Sequence, residues 1–271
     1  LFFSSQILDL DKLLITSFIA FGFCLVTSSV YIINDIIDLD FDSNHPFKKY
    51  RPIASGLITK KIAIIIGTVN LIFGLLIIGT LSFNALLITL FYFCLNICYS
   101  FKLKEIPIID FVVVALGFVL RISIGGEVCE IPISIWTILL VFLLALFIAI
   151  TKRRDDVYEF ENHKNINRGV VIKYNIEFMN ISIIIISSVL IVSYLLFITS
   201  SEVLYRYQSN LLYITFLPVL IGIFRYNQIT FVYKKGGSPI QILFSDLFLQ
   251  LTLILWIFLF GLIIYGEITI L

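Results

Sequence analysis

Charged residues are scarce in this chain: Asp, Glu, Lys and Arg together account for only 14% of its 271 residues. Ordinary soluble domains carry about 25% charged and roughly 45–50% apolar residues, whereas 60% of this sequence is hydrophobic. A water-soluble globular domain is therefore excluded. The composition instead indicates a chain whose surroundings are largely lipid.

Several signatures of soluble enzymes and of nucleic-acid-binding proteins are also missing. The net charge is only +1 and the basic residues are spread over several loops, which argues against a nucleic-acid partner. The sequence has no Ser-His-Asp grouping, no Walker-type phosphate loop and no dinucleotide fingerprint. The cysteines lack metal-ligand spacing, so we expect small buried apolar residues and no disulfide framework. They are Cys24, Cys94, Cys98 and Cys129.

What the sequence does have is a series of apolar runs near 20 residues long. Such a run crosses a hydrocarbon core of roughly 30 Å at about 1.5 Å per helical residue. The predicted spans are Leu13–Ile33, Ile62–Leu81, Asn84–Ser100, Pro107–Ile124, Pro132–Ile150, Ile181–Thr199, Leu211–Tyr226 and Ile240–Tyr265. The short run Leu1–Leu8 is interpreted as the remainder of one more helix. We therefore predict an all-α, polytopic bundle of nine helices forming a single domain over residues 1–271, with no oligomeric state specified.

Basic residues mark one side of this bundle. The longer, more polar connections follow alternate spans, so they lie on the same side of the membrane. With the adjoining Arg225 they hold 16 of the 19 Lys and Arg residues, leaving only Lys12, Arg121 and Arg206 elsewhere. By the positive-inside rule this side is cytoplasmic. Acidic residues are concentrated in two of the same loops. Because acidic residues contribute little to the orientation of a protein in the membrane, their position there needs another explanation.

The first acidic cluster continues directly from the span that ends near Ile33. On a helix turning 100° per residue, Asp35, Asp38 and Asp42 would fall within about 60° of one another, with Asn34 beside Asp38 and Asp40 facing away. Carboxylates this close repel unless a cation lies among them. Mg²⁺ fits, because it often joins one or two carboxylates to substrate phosphates.

A simpler alternative for this cluster is a solvated helix end. Its acids would then pair with the basic residues that follow, namely Lys48, Lys49 and Arg51. The weakness of this alternative is that the acids begin at the membrane surface, where unpaired charge is costly.

A second cluster of alternating charges follows the span that ends near Ile150. Lys152, Asp155, Asp156 and Glu159 would share a helix face within about 100°, and Arg153 and Arg154 would flank it. This mixture suits a metal ion together with phosphate oxygens that the metal does not reach. The alternative is a juxtamembrane basic anchor with acidic partners.

Between the two clusters lie isolated polar residues. Tyr99 lies at the end of one span, Lys102 belongs to the short polar connection that follows, and Asp110 lies one turn into the next span. Arg121 lies about three turns deeper, where a guanidinium usually faces a water-filled cavity or an anion; alternatively it pairs with Glu127.

His45 precedes Pro46, which favours extended backbone and a loop. We interpret it as a substrate contact and not as a general base.

The pattern Asn34-Asp35-x-x-Asp38-x-x-x-Asp42, the second acidic cluster and the nine helices resemble the UbiA-type prenyltransferase superfamily. Residues 31–56, together with Arg121, Gly125-Gly126 and Lys152-Arg153, are similar to the signature of its decaprenyl-phosphate phosphoribosyltransferase subfamily. The resemblance implies an intramembrane enzyme of the bacterial plasma membrane, with a Mg²⁺ cofactor and an active site that faces the cytoplasm.

The subfamily resemblance implies transfer of 5-phosphoribosyl from phosphoribosyl diphosphate to a polyprenyl phosphate of decaprenyl type, with release of diphosphate. Two alternatives are a prenyltransferase that uses a prenyl diphosphate donor with an aromatic or alcohol acceptor, and a transporter or scaffold without chemistry. The residues expected to be catalytic are Asp35, Asp38, Asp42, Asp155 and Asp156, and all of these except Asp155 are expected metal ligands. The expected substrate-binding residues are Asn34, His45, Lys48, Lys49, Arg51, Tyr99, Lys102, Asp110, Arg121, Lys152, Arg153 and Glu159.

Overall fold

The structure is a computed structural model, and it describes residues 1–4, 6–45, 48–163, 169–233 and 239–266. Within these ranges the regular secondary structure is entirely helical. Eleven α-helices occur in the described residues. In chain order α1 to α11 are Leu10–Ile37, Leu39–Ser43, Lys60–Leu81, Phe83–Phe101, Ile109–Val128, Ile135–His163, Ile176–Thr199, Ser201–Tyr207, Phe216–Phe231, Pro239–Ser245 and Leu247–Tyr265.

Eight helical segments in the described residues are long and apolar enough to cross a membrane, and they confirm the eight predicted complete spans. The chain is thus an all-helical integral membrane protein. The seventh span, Asn210–Phe231, joins a short 3-10 helix to α9. At the start of the chain, where the sequence predicted part of another helix, the structure has the 3-10 turn Phe2–Ser4.

Polar side chains begin many of these helices. Asp9, Thr59 and Ser82 each accept a hydrogen bond from the backbone N–H three residues later, at the starts of α1, α3 and α4. Asn175 and Ser200 do the same for α7 and α8. The first backbone N–H groups of a helix have no partner within it, so such N-caps fix where each helix begins.

Contacts divide the chain into two compact units. The first, called here the N-terminal unit, is Ile7–Ile133 with Arg168–Val170, and it contains α1 to α5. The second, the C-terminal unit, is Leu1–Gln6, Ser134–Asn167 and Val171–Leu271, and it contains α6 to α11. The single domain expected from the sequence stays a prediction.

In the N-terminal unit, α1 packs along α3 at a seam of small residues. A Cβ atom added to Gly74 would lie 2.6 Å from the carbonyl oxygen of Gly22 and 2.8 Å from a methyl carbon of Val26. Close backbone approach of this kind is typical of membrane helices, which associate through packing of small residues and not through exclusion of water. The seam holds α1 in register and so fixes where its acidic end lies relative to α3.

In the C-terminal unit, α6 packs on α7 and α9 packs on α11. Aromatic rings fill the core around Phe260, which is fully buried and lies within 6.5 Å, between ring centroids, of Phe2, Phe3, Tyr207 and Trp256. Tyrosine hydroxyl groups in this core are hydrogen-bonded, as buried polar atoms of aromatic residues usually are; Tyr207, for example, donates to the backbone oxygen of Phe3 at 2.6 Å.

Two details differ from the sequence predictions. The last predicted span, Ile240–Tyr265, is divided at Asp246, which ends α10 and caps α11. Of the four cysteines, only Cys129 is buried, whereas Cys24, Cys94 and Cys98 are exposed on helix surfaces. The prediction that all four are buried was wrong, because an apolar run does not reveal which helix face is turned toward lipid. All four are free thiols, as expected.

Candidate active site

The first acidic cluster lies where α1 ends in the N-terminal unit. The helix ends at Ile37, Asp38 is its C-cap, and the short helix α2 begins at Leu39. This interruption replaces the continuous helix assumed from the sequence. Asp35 and Asp42 still converge, and Asp40 is exposed and faces away, as the spacing predicted.

Arg51 joins two of the three carboxylates. Its Nη1 atom lies 2.8 Å from Oδ1 of Asp35 and 2.7 Å from Oδ2 of Asp42, so one guanidinium nitrogen bridges both acids. Asp42 is only 1% exposed, and its other carboxylate oxygen, Oδ1, is buried without a hydrogen-bond partner among the described residues. A buried carboxylate oxygen without a partner is costly, which makes it a point where a further cation would be stabilised.

The third carboxylate, Asp38, pairs with a residue that the sequence analysis did not include in the site. Lys104 donates from Nζ to Oδ1 of Asp38, and both side chains are almost completely buried. Asn34 donates to Oδ2 of the same carboxylate at 3.2 Å. Lys104 lies in the short 3-10 helix Leu103–Glu105, between α4 and α5.

These residues fit a Mg²⁺ ion bound partly through its substrate. Among the described residues, no group of three His, Cys, Asp or Glu side chains is arranged as a complete metal site. Mg²⁺, however, is usually held by one or two carboxylates, with water and substrate phosphates supplying the remaining ligands. Asp35 and Asp42, which already share one cation, and the unpartnered Oδ1 of Asp42 match that requirement.

The loop after α2 supplies further cations. His45 accepts a hydrogen bond from the backbone N–H of Lys48 at its Nδ1 atom, 3.3 Å away, which agrees with the predicted loop position. The Nζ of Lys48 lies 5.4 Å from the ring centroid of Phe41, whereas Lys49 is exposed and lies over Tyr50. Pro46 is outside the described residues. The loop thus brings His45, Lys48 and Arg51 to the acidic end of α1 and leaves Lys49 in solvent.

A small apolar cavity adjoins Asp35. Its volume is about 150 Å³, and Asp35 is the only charged residue among those that line it. The other lining residues are Ile32, Pro52, Ile53, Ile58, Ala63 and Ile66, from α1, the following loop and α3. One acid of the cluster, Asp35, therefore borders an apolar cavity.

A buried acidic side chain, Asp110, lies near the start of α5. Asp110 is 0% exposed. Two residues before it, Ile108 has a φ of 71°, in the left-handed region that is costly for a β-branched residue. Tyr99 is half-buried near the end of α4, and Lys102 is exposed just after it.

Arg121 lies apart from the acid cluster. Its guanidinium lies over the rings of Phe118, Tyr92 and Phe23, at 4.7 to 5.8 Å from the ring centroids, and donates to the Tyr92 hydroxyl at 3.0 Å. Phe23 precedes Asp35 by 12 residues on α1, so the two levels are about 18 Å apart at roughly 1.5 Å per residue. Glu127 does not pair with Arg121; it accepts a hydrogen bond from Asn84.

The second cluster lies on α6 in the C-terminal unit, and its charges sort into two ion pairs. Arg153 donates to Asp156 at 2.9 Å, and Arg154 donates to Asp155 at 3.3 Å. Arg154 is 4% exposed and also reaches Asn180 on α7, so it is a buried anchor and not the flanking residue that the helical wheel indicated. Lys152 and Glu159 are exposed, which leaves them accessible to charged molecules.

Sequence reasoning missed Lys104, Arg154 and Asn180. Lys104 appeared in the sequence only as one of several loop lysines, and its contact with Asp38 spans 66 residues of chain. Arg154 could have been recognised because a basic residue one turn after the buried Ile150 falls on the inward face of a helix. No sequence signal indicated Asn180.

Known proteins resemble this chain over most of its length. The chain is 28% identical over 249 residues to the decaprenyl-phosphate phosphoribosyltransferase of Mycolicibacterium smegmatis, covering 90% of this chain and 78% of that protein. It is 28% identical over 245 residues to the enzyme of the same name from Corynebacterium glutamicum, covering 90% and 74%.

A solved structure has the same fold. The UbiA homologue of Archaeoglobus fulgidus bound to GPP and Mg²⁺ superposes with a TM-score of 0.68 at 17% identity, covering 92% of this chain and 87% of that one. The model of the UbiA prenyltransferase family matches residues 4–254. The acidic end of α1, the eight membrane spans and this match together lead to one conclusion: the chain belongs to the UbiA prenyltransferase family and is a transferase.

Proposed function

We propose that this transferase moves a 5-phosphoribosyl group from phosphoribosyl diphosphate to a polyprenyl phosphate and releases diphosphate, with Mg²⁺ as cofactor. The proposal places it in a bacterial plasma membrane with the acidic end of α1 facing the cytoplasm. The excess of Lys and Arg in the connections on that side supports this orientation. The names of the relatives that cover most of the chain support the reaction.

The observation that carries the proposal is the contact of Arg51 with both Asp35 and Asp42. A donor with phosphate groups at both C1 and C5 needs cations for two separate anionic groups. In the N-terminal unit, Arg51 contacts Asp35 and Asp42, the charge of Lys48 acts on Asp35, and Lys104 is buried against Asp38. A site with acids for a metal and bases for phosphates suits such a donor.

Each set of residues then has a defined task. Asp35, Asp42 and Asp38 would hold Mg²⁺, which when bound stabilises negative charge on the departing diphosphate. Arg51 and Lys48 would bind the phosphate oxygens that the carboxylates repel. The bond between C1 of ribose and the diphosphate oxygen breaks, and a bond between C1 and an oxygen of the lipid phosphate forms. The diphosphate leaves with the electron pair of the broken bond.

The acceptor needs no strong general base. The lipid phosphate already carries a negative oxygen, so the protein has only to align it with C1 and exclude water. This requirement agrees with the site, since His45 is held in a loop by the backbone of Lys48 and the carboxylates are engaged by cations.

The C-terminal unit would supply a second set of charges. Lys152 and Glu159 are exposed on α6, next to the Arg153–Asp156 pair. We propose that Lys152 and Arg153 bind phosphate oxygens and that Asp155, Asp156 and Glu159 contribute carboxylates toward metal or substrate. Arg154 would fix the orientation of this part of α6 through Asp155 and Asn180.

A second candidate reaction keeps the acidic site but reverses the role of the lipid. In that reaction a prenyl diphosphate is the donor and an aromatic or alcohol group is the acceptor. The structure of the Archaeoglobus fulgidus homologue bound to GPP favours this alternative at the level of the fold. Against it stands the basic loop that contributes Lys48 and Arg51, because a prenyl diphosphate has no additional phosphate for these residues.

The deciding experiment uses the purified chain in detergent with Mg²⁺. Phosphoribosyl diphosphate labelled in the ribose is incubated with polyprenyl phosphate, and the organic phase is assayed for labelled lipid. In a parallel reaction, a labelled prenyl diphosphate is incubated with aromatic and alcohol acceptors. Label in the lipid from the first reaction alone supports the proposal. Product from the second reaction alone overturns it.

A further inference from the structure

Two basic side chains contact all three carboxylates at the end of α1. Arg51 binds one oxygen of Asp35 and one of Asp42, and Lys104 binds one oxygen of Asp38. The cations come from different segments, a loop after α2 and the 3-10 helix before α5, yet each reaches the acids directly. A divalent cation at this site would therefore bind carboxylates that these two residues already contact.

We infer that Arg51 and Lys104 are built-in counter-ions that compete with the divalent cation for these carboxylates and move to phosphate oxygens when a diphosphate binds. Binding of the metal and of the diphosphate group is thereby coupled. The inference rests on the proposed function only in that the substrate contains a diphosphate. It adds Lys104, a residue outside the sequence-predicted site, as a substrate-binding residue.

The charge balance explains why the coupling is expected. The three carboxylates and the two basic groups in direct contact with them have a formal charge of −1, and a divalent cation alone would make this group of side chains positive. Like charges within a few ångströms repel strongly where water is scarce. The Lys104 and Asp38 side chains are 7% and 10% exposed, so solvent screens the repulsion between Lys104 and the metal poorly, whereas Arg51 is 36% exposed and better screened. A diphosphate supplies the negative charge that lets metal, Arg51 and Lys104 bind together.

The geometry also argues against a purely structural role for the two cations. If they only neutralised the acids, the most buried of these three carboxylates would be expected to have both oxygens satisfied. Instead Oδ1 of Asp42 has no hydrogen-bond partner among the described residues, although Arg51 lies on the other oxygen. That oxygen is a fixed acceptor which neither basic side chain satisfies. It is therefore available to a cation that does not belong to the chain.

The test measures metal binding without turnover. Mn²⁺ is titrated into purified protein in detergent, without substrate, and free Mn²⁺ is followed by electron paramagnetic resonance. Removing a competing cation should strengthen binding, so Lys104→Gln and Arg51→Gln should each lower the Mn²⁺ dissociation constant about tenfold. Lys104→Arg keeps the charge and should stay within about twofold of the unmodified protein. Lys60→Gln, an exposed charge change at the start of α3, should also have no effect.

A second titration uses inorganic diphosphate at saturating Mn²⁺. In this titration the same two Gln variants should bind diphosphate about tenfold more weakly, because each lacks one of the basic groups that would move onto the diphosphate oxygens. Opposite changes in the two titrations support the inference. Equal or weaker Mn²⁺ binding in folded Lys104→Gln and Arg51→Gln overturns it. Neither titration contains phosphoribosyl diphosphate or lipid. The outcome of both titrations is therefore independent of which donor the enzyme uses.

Discussion

Asp42 lies almost completely out of solvent, and its Oδ2 atom is 2.7 Å from Nη1 of Arg51. This contact brings a residue of α2 and a residue of the following loop onto the acidic end of α1. It forms across a break in the helix at Asp38, so it depends on the local fold and not on helical spacing alone.

Replacing Asp42 with Asn should lower kcat/KM for the transferase reaction by about 10- to 100-fold. The change keeps the size of the side chain but removes the charge that Arg51 pairs with, and hydrogen bonds to charged groups contribute about 1.5–3 kcal/mol. Asp40→Asn is the matched control, because Asp40 is exposed two residues earlier and should retain activity. The assay is incorporation of labelled ribose into lipid, with size-exclusion chromatography to verify folding. Equal activities for the two variants would contradict the assigned role of Asp42.

A second prediction concerns the seam between α1 and α3. A methyl group at Gly74 would lie 2.6 Å from the backbone oxygen of Gly22, so Gly74→Ala must force the helices apart. The expected loss of stability is about 1–3 kcal/mol, as is usual for overpacking. Gly125→Ala on α5 is the control, since nothing lies within 4 Å of its added carbon. Thermal unfolding in detergent, followed by loss of the monodisperse peak, should show a lower midpoint for Gly74→Ala only.

The sequence was sufficient to predict the membrane spans and one half of the acidic cluster. Long apolar runs identify membrane helices because a bilayer imposes a minimum length on them, and the spacing of Asp35, Asp42 and Asp40 predicted which acids converge and which faces away. Lys104 could not be predicted in the same way. Its partner Asp38 is 66 residues distant, and only the packing of the helices between them brings the two together.

The interruptions of the helices could not be predicted from the sequence either. Asp246 is one polar residue in an apolar run, and the sequence alone does not distinguish a polar residue that continues a helix from one that caps the next helix. In the structure its side chain accepts from the backbone N–H of Leu249 at 2.8 Å and binds Arg225 through both carboxylate oxygens, at 2.6 and 3.1 Å. The cap and the ion pair together determine where α11 begins.

This double role of Asp246 gives a third prediction. Asp246→Asn keeps an oxygen that accepts from Leu249 and loses the charge, whereas Asp246→Ala loses both the cap and the partner of Arg225. Since Asn and Asp are similar N-caps and loss of a cap costs about 1 kcal/mol, the Ala variant should be less stable than the Asn variant by about that amount. Thermal unfolding of the two variants measures the difference. Identical midpoints would show that the cap does not contribute to stability.

The last prediction concerns the intramembrane arginine. Arg121 donates to the hydroxyl of Tyr92, and its Nε atom is buried without a hydrogen-bond partner among the described residues. Tyr92→Phe removes that hydroxyl while keeping the ring, and should destabilise the protein by about 1–3 kcal/mol, the cost of leaving a buried donor unsatisfied. Tyr31→Phe is the control, because Tyr31 is 66% exposed on α1. Since the Arg121 level lies about 18 Å from Asp35 along α1, Tyr92→Phe should lower the unfolding temperature without changing the KM for the proposed donor, phosphoribosyl diphosphate. A raised KM at unchanged stability would instead place Arg121 in contact with that donor.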